Sequence, residues 1–243
     1  MAEGLPDFLV LGTQKGGTTT LQRLLNQHPG VFLAPGKEVH YFSKHWEQSP
    51  AWYASHFRDA RPGQRRGDIT PFYLFHPQAP QRIHSLLPGA QLIVLLRDPV
   101  ERALSQYFHS VRLGFEPLSL AEGLAAEPER LATEAPLHLQ EHSYVSRSRY
   151  LEQLDRYSDL FPDQQLLVLK SEAFFAEPET TWKRIESFLG LSAATCPASL
   201  SKANSGQGEA AAVPAEIRND LRQQLKATAL EVRERYGFGW DWA

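Results

Sequence analysis

The sequence predicts an α/β fold, read as one domain over residues 1–243 with a central parallel sheet flanked by helices. Three observations predict it. Apolar runs of strand length alternate with helical patterns along the chain, the arrangement that builds a parallel sheet. One run, Leu92–Leu96, is Leu-Ile-Val-Leu-Leu without a break, as expected of a strand covered on both faces. A glycine break follows the first apolar run directly and opens a helical pattern.

In chain order, Phe8–Leu11 is the first predicted strand, and a helix runs from about Thr18 to Gln27 on Leu21, Leu24 and Leu25. Val31–Leu33 is a short strand. Residues 34–49, with Pro35, Gly36 and several charges, read as loop, and Pro50–Phe57 as a short helix. Pro77–Leu87 is helical and is stopped by Pro88-Gly89. After the Leu92–Leu96 strand, Val100–Leu113, Ser119–Ala132 and Arg149–Leu160 read as helices. Leu166–Leu169 is a last buried strand, followed by a helix over Thr180–Leu189 that ends at Gly190. Residues 192–213 read as a loop, Pro214–Tyr236 as a terminal helix, and Gly237–Trp242 as an aromatic tail docked on the domain.

The composition, 42% hydrophobic and 22% charged, is that of a globular protein. The net charge of −3 provides no general attraction to nucleic acid or to an anionic membrane. The single cysteine, Cys196, cannot form an internal disulfide. With no secretory signal pattern and no Asn-x-Ser/Thr acceptor, this leads us to expect a cytoplasmic setting. No run of 18 apolar residues predicts a membrane span. The nine histidines are scattered, so no metal site is expected.

The segment Gly12-Thr-Gln-Lys15-Gly16-Gly17-Thr18-Thr19 is the main chemical signal. A strand, a glycine turn and a helix N-terminus present backbone N–H groups and the positive end of a helix to an anion. A side chain at Gly16 or Gly17 would block a close phosphate. The segment is P-loop-like: Gly12 and Gly17 have the G-x-x-x-x-G spacing, and Thr19 stands where a Ser/Thr belongs. Thr18 occupies the lysine position, which disfavours nucleoside-triphosphate hydrolysis; the lysine of this loop is Lys15. A tight turn with no ligand is the plainer alternative.

Ligands of such sheets bind beyond the carboxyl ends of the strands. At the end of Leu92–Leu96 comes Arg97-Asp-Pro99, with Ser105 about two turns into the next helix. Guanidinium and hydroxyl together can grip a second phosphate. A salt bridge for Arg97 and simple packing for Ser105 are the alternatives.

Taken together these residues resemble the sulfotransferases that use 3′-phosphoadenosine 5′-phosphosulfate (PAPS), above all the heparan sulfate sulfotransferase domains and their bacterial relatives. Thr13–Thr19 looks like their 5′-phosphosulfate loop and Leu92–Ser105 like their 3′-phosphate segment. Further matches are Glu38-Val-His40-Tyr-Phe, Asp68-Ile-Thr70-Pro71-Phe-Tyr73, Ser148-Arg-Tyr150 with Phe161-Pro162, and Phe238-Gly-Trp240-Asp. The resemblance implies transfer of a sulfuryl group to an acceptor hydroxyl or amine by in-line displacement, with adenosine 3′,5′-bisphosphate (PAP) as product and no metal. It makes Glu38 the general base with His40 nearby, and Lys15 the cation on the phosphosulfate. Gly16, Gly17, Thr18, Thr19, Arg97 and Ser105 become donor contacts. Lys202, Ser205 and Gly206 align with a C-terminal loop that closes over the donor. His40, Tyr73 and Tyr150 become acceptor contacts, with aromatic packing as the alternative for each.

Were Glu38 and His40 on an extended segment, they would face the same side; a solvated Lys37–Glu38 ion pair is the plainer reading of that stretch. Two positions depart from the animal enzymes. Ile69 replaces a substrate-facing lysine, and Lys202-Ala-Asn-Ser205-Gly206 replaces a Lys-Gly-Arg loop. Both departures remove positive charge from acceptor contacts, which argues against a heparan-like chain; a small hydroxyl compound, a lipid or a saccharide also fits the acceptor role. A nucleoside-triphosphate kinase and a non-catalytic nucleotide-binding protein are the rival readings.

Overall fold

Five strands, all parallel, form one sheet in the order β2-β3-β1-β4-β5. The computed structural model describes residues 4–133, 139–195, 200 and 208–243. Cys196, Lys202, Ser205 and Gly206 lie outside them, as does half of the predicted 192–213 loop.

In chain order the elements are β1 (Phe8–Gly12), α1 (Thr18–Gln27), β2 (Val31–Leu33), α2 (Tyr41–Lys44), α3 (Pro50–Ser55), β3 (Arg65–Ile69), α4 (Ala79–Leu86), β4 (Gln91–Leu96) and α5 (Pro99–Arg112). Then come α6 (Leu120–Thr133), α7 (Leu139–His142), α8 (Tyr150–Ser158), β5 (Leu166–Lys170), α9 (Ser171–Ala176), α10 (Pro178–Leu189) and α11 (Ala215–Tyr236). The described residues cluster into two compact units, Met1–Leu96 with Gln153–Ala203, and Arg97–Glu152 with Asn204–Ala243. Among the described residues no helix is long and apolar enough to cross a membrane.

The first unit holds the sheet. Every residue of β1 is buried, and so are Leu92–Leu96 of β4. Leu21, Leu24 and Leu25 of α1 pack with Phe8, Val10, Ile93 and Leu95, and Trp182, Ile185 and Leu189 of α10 join the same core. Their i, i+3, i+4 and i, i+3, i+7 spacings are what lay one helix face on a sheet.

β3 corrects the sequence reading, which had four strands. Its residues, Arg-Arg-Gly-Asp-Ile, form no apolar run, yet they pair with β2 on one side and β1 on the other. The arginines stand at the strand's start, where the Arg65 guanidinium donates to the Gln91 side chain and the Arg66 N–H to the Asp7 carboxylate at 2.7 Å. Only the last three residues are buried. Gly67 stands opposite Phe8, and a Cβ there would lie 2.2 Å from the ring. The strand is glycine at that point because an aromatic fills the space a side chain needs.

The second unit packs Val100 and Leu104 of α5 with Leu221 and Leu225 of α11 and with Val145 and Val213. The aromatic tail docks within it: Trp240 is buried, and the Trp242 indole N–H donates to Asp98 Oδ2 at 2.6 Å.

Candidate active site

The chain leaves β1 toward β2 and β3 on one side and reaches β4 on the other, so β1 marks the switch in strand order where α/β sheets bind ligands. The glycine loop follows β1. Its fold is set by the protein itself: Thr13 N–H donates to the Leu95 carbonyl at 3.0 Å, and Gly16 N–H to the Thr13 carbonyl at 2.9 Å. A Cβ on Gly16 would come 2.6 Å from the Leu95 carbonyl oxygen. At Gly17, with φ +98, it would come 2.9 Å from the Phe175 ring. These glycines are needed for chain packing, not only for the approach of a phosphate as the sequence suggested.

Gly17 caps α1 without a side-chain hydrogen bond, and no acidic residue stands in the first turn. The ladder of α1 starts with the N–H groups of Thr20 and Leu21, both donating to the Gly17 carbonyl. The amides of Gly17, Thr18 and Thr19 therefore precede the ladder, at the positive end of the helix. α3 and α5 differ, since Ser49 and Asp98 cap them with side-chain oxygens.

Glu38 and His40 come together, though not through an extended backbone. The segment is not extended: φ is 64° at Glu38 and 56° at His40. This left-handed backbone brings Glu38 Oε2 to 3.2 Å from His40 Nε2, while Lys37 Nζ lies 3.5 Å from Glu38 Oε1. Lys37 also donates to Thr19 Oγ1 at 2.6 Å, tying this segment to the first turn of α1. Among the described non-glycine residues, positive φ occurs at Lys15, Glu38 and His40 alone. Such backbone costs about 1–3 kcal/mol per residue and collects at functional sites.

A buried carboxylate supports the pair. Asp68 Oδ2 accepts hydrogen bonds from the Tyr53 hydroxyl at 2.8 Å and the Tyr73 hydroxyl at 2.9 Å, and Oδ1 accepts from Thr70 Oγ1 at 2.8 Å. Thr70 Oγ1 in turn meets the His40 N–H at 3.5 Å, and His40 Nδ1 lies 3.0 Å from Ser43 Oγ. Burial pushes the Asp68 carboxyl above its ordinary range, against the pull of the three hydroxyls and of His40. Burial and the Asp68 charge push both tyrosines well up. Sequence reading quoted Asp68 and Thr70 only inside a matched segment and gave them no part. The available signal was an acidic residue two positions before a threonine and five before a tyrosine.

Tyr73 and Tyr150, expected to touch the acceptor, are both fully buried, and each spends its hydroxyl on the protein. Tyr73 holds Asp68, while Tyr150 donates to the Arg97 carbonyl at 2.7 Å. Neither ring presents surface to an acceptor here. Ile69 is buried in the sheet core.

Within the second unit, Arg97 precedes α5 and is half-buried, as is Ser105 in the helix. Asp98 Oδ1 caps the helix by accepting from Val100 N–H at 2.9 Å and Glu101 N–H at 3.0 Å. Ser148 Oγ donates to the Pro99 carbonyl at 2.7 Å and accepts from the buried Arg102 Nε at 2.6 Å. Burial lowers the Arg102 guanidinium to about 10. Ser148, Tyr150 and Trp242 thus fix the backbone on which Arg97 is carried. Among the described residues no group of three or more His, Cys, Asp or Glu side chains could hold a metal ion.

Residues 5–207 match the sulfotransferase domain family. The human heparan sulfate glucosamine 3-O-sulfotransferase 6 is 34% identical over 191 residues, 76% of this chain and 52% of that protein. The membrane-associated sulfotransferase kil1 of Dictyostelium discoideum is 42% identical over 111 residues, 44% of this chain and 24% of that one. The chain therefore spans about half the length of the first relative and about a quarter of the second. A sulfotransferase crystal structure from Alicyclobacillus acidocaldarius, 27% identical, superposes with a TM-score of 0.83 over 98% of both chains. By sequence and by fold, the chain belongs to the sulfotransferase family.

Proposed function

We propose that the chain transfers the sulfuryl group of PAPS to an acceptor hydroxyl or amine, with Glu38 as general base. The observation that carries this reading is the Glu38–His40 pair, 3.2 Å apart, tied through Lys37 to the uncapped first turn of α1. The residues fit a phosphosulfate. Three amides precede the α1 ladder, Lys15 lies in the loop, and the buried Thr13 hydroxyl makes no hydrogen bond.

PAPS supplies an activated sulfuryl group, whose bond to the 5′-phosphate oxygen breaks as the acceptor oxygen bonds to sulfur. The electron pair of the broken bond stays on the phosphate, and the acceptor proton goes to Glu38. The Gly17, Thr18 and Thr19 amides and Lys15 hold the 5′ end and stabilise charge on its phosphate. His40 orients the Glu38 carboxylate, and Asp68 fixes His40 through Thr70. Arg97 and Ser105 hold the 3′-phosphate; this assignment rests on their family segment and on the bonds that fix the Arg97 backbone.

The acceptor class we infer is a saccharide or small hydroxyl compound of modest negative charge. Supporting this are the net charge of −3 and Ile69 at a position where the animal enzymes carry a lysine. The test is Glu38→Gln, in labelled-sulfate transfer and in PAP binding. Turnover should fall by roughly a hundredfold while PAP affinity is kept. Unchanged turnover removes Glu38 from the chemistry.

A further inference from the structure

Lys37 ties the Glu38 segment to α1 but has no chemical step in the proposed mechanism, and its position is unusual. Its ammonium lies 2.6 Å from Thr19 Oγ1 in the first turn of α1 and 3.5 Å from Glu38 Oε1. A cation is favoured at the C-terminal end of a helix, not at its positive end. α1 offers no acidic residue in its first turn to compensate. Glu38 is the nearby anion, and its other oxygen is engaged by His40 at 3.2 Å.

We propose that Lys37 is a further catalytic residue, the cation that contacts the oxygens of the sulfuryl group in transit. This rests on the donor and base assignments of the proposed function. If the 5′-phosphate is held at the start of α1 and the acceptor proton is taken by Glu38, the group being transferred passes between those two points. Lys37 already reaches both. An oxyanion at that place turns an unfavourable placement of the ammonium into a favourable one. The strength of a charge-assisted bond rises as negative charge builds on the transferring oxygens. Lys37 stays protonated throughout and moves no proton; Glu38 alone takes the one released by the acceptor.

The test compares two ligands that differ only in the sulfuryl group. Calorimetric affinities of PAPS and of PAP are measured for the wild type and for Lys37→Met. Lys37→Gln is read in the same way in case the methionine variant folds poorly. Loss of a charge-assisted contact should weaken PAPS about tenfold, and PAP less than about threefold. Release of labelled inorganic sulfate from labelled PAPS, with water as acceptor, should slow by more than the PAPS affinity falls. Equal loss for PAPS and PAP, or no loss for either, overturns the proposal and leaves Lys37 as a loop ion-pair partner. Failure of the wild type to bind either nucleotide overturns the donor reading itself, a distinct outcome.

Discussion

At the scale of single residues, the site is a set of charges whose environments push them apart. His76 shows this outside the reactive pair. Burial, with Arg82, Arg156 and His40 nearby, lowers its imidazole to about 4. The unfolded chain takes up a proton near the ordinary histidine value of about 6.5, whereas the folded chain does so only near 4. Between those values the unfolded state binds more protons, so stability rises with pH and is lost as the pH falls through that window. Urea melts from pH 7 to pH 4 should show this slope, and His76→Gln should flatten it. An unaltered slope in the variant rules His76 out as its source.

Arg97 carries a second residue-scale prediction. Arg97→Ala should weaken PAP roughly tenfold or more and AMP less than about threefold, measured by competition binding. Equal losses for the two nucleotides refute the 3′-phosphate assignment.

Legibility at this scale was uneven. Glu38, His40 and Lys15 could be named from their segments, but not their conformation. The stretch read as loop, and the left-handed backbone found at Glu38 and His40 depends on packing that no local pattern encodes. For Tyr73 and Tyr150, acceptor contact and aromatic packing both stayed open, because a sequence shows a ring, not the bond its hydroxyl makes.

At the scale of elements, the N-termini of α1 and α5 solve the same problem in opposite ways. α5 satisfies its first amides with Asp98, which also accepts the Trp242 indole N–H. α1 has no such cap, which leaves its amides for a ligand. Asp98→Ala should therefore cost about 1–2 kcal/mol in urea melts, the usual loss of an N-cap. A loss near zero would mean that water or another group caps α5 equally well.

β3 yields the other element-scale prediction. Gly67→Ala forces a Cβ into the Phe8 ring and should cost about 1–3 kcal/mol, typical of overpacking. The paired change Gly67→Ala with Phe8→Leu should recover part of that loss. β1, β2, β4 and β5 were legible as apolar runs. β3 was not, because its arginines sit at the sheet rim and its buried half is Gly-Asp-Ile. α1, α5, α10 and α11 were legible because each has an apolar face at helical spacing, whereas the four residues of α2 are too few to show one.

At the scale of the whole chain, the parallel sheet, the position of the glycine loop and the order of the matched segments could all be read before any coordinates. The identity of the acceptor could not, since it depends on charge and shape beyond the motifs. The structure adds the reason these segments recur in one chain. The glycine loop, the Glu38–His40 segment and Asp68-Ile-Thr70 build one constellation in the first unit. Arg97, Ser148-Arg-Tyr150 and the aromatic tail build another in the second.

The most direct test of the account is the melting temperature with PAP, set against ATP plus magnesium. At about a hundred times its Kd, a ligand of the native state adds about 2.7 kcal/mol, a shift of several degrees for a chain of this size. The account predicts that shift with PAP and little or none with ATP and magnesium. A larger shift with ATP and magnesium, or none with PAP at millimolar concentration, would contradict it.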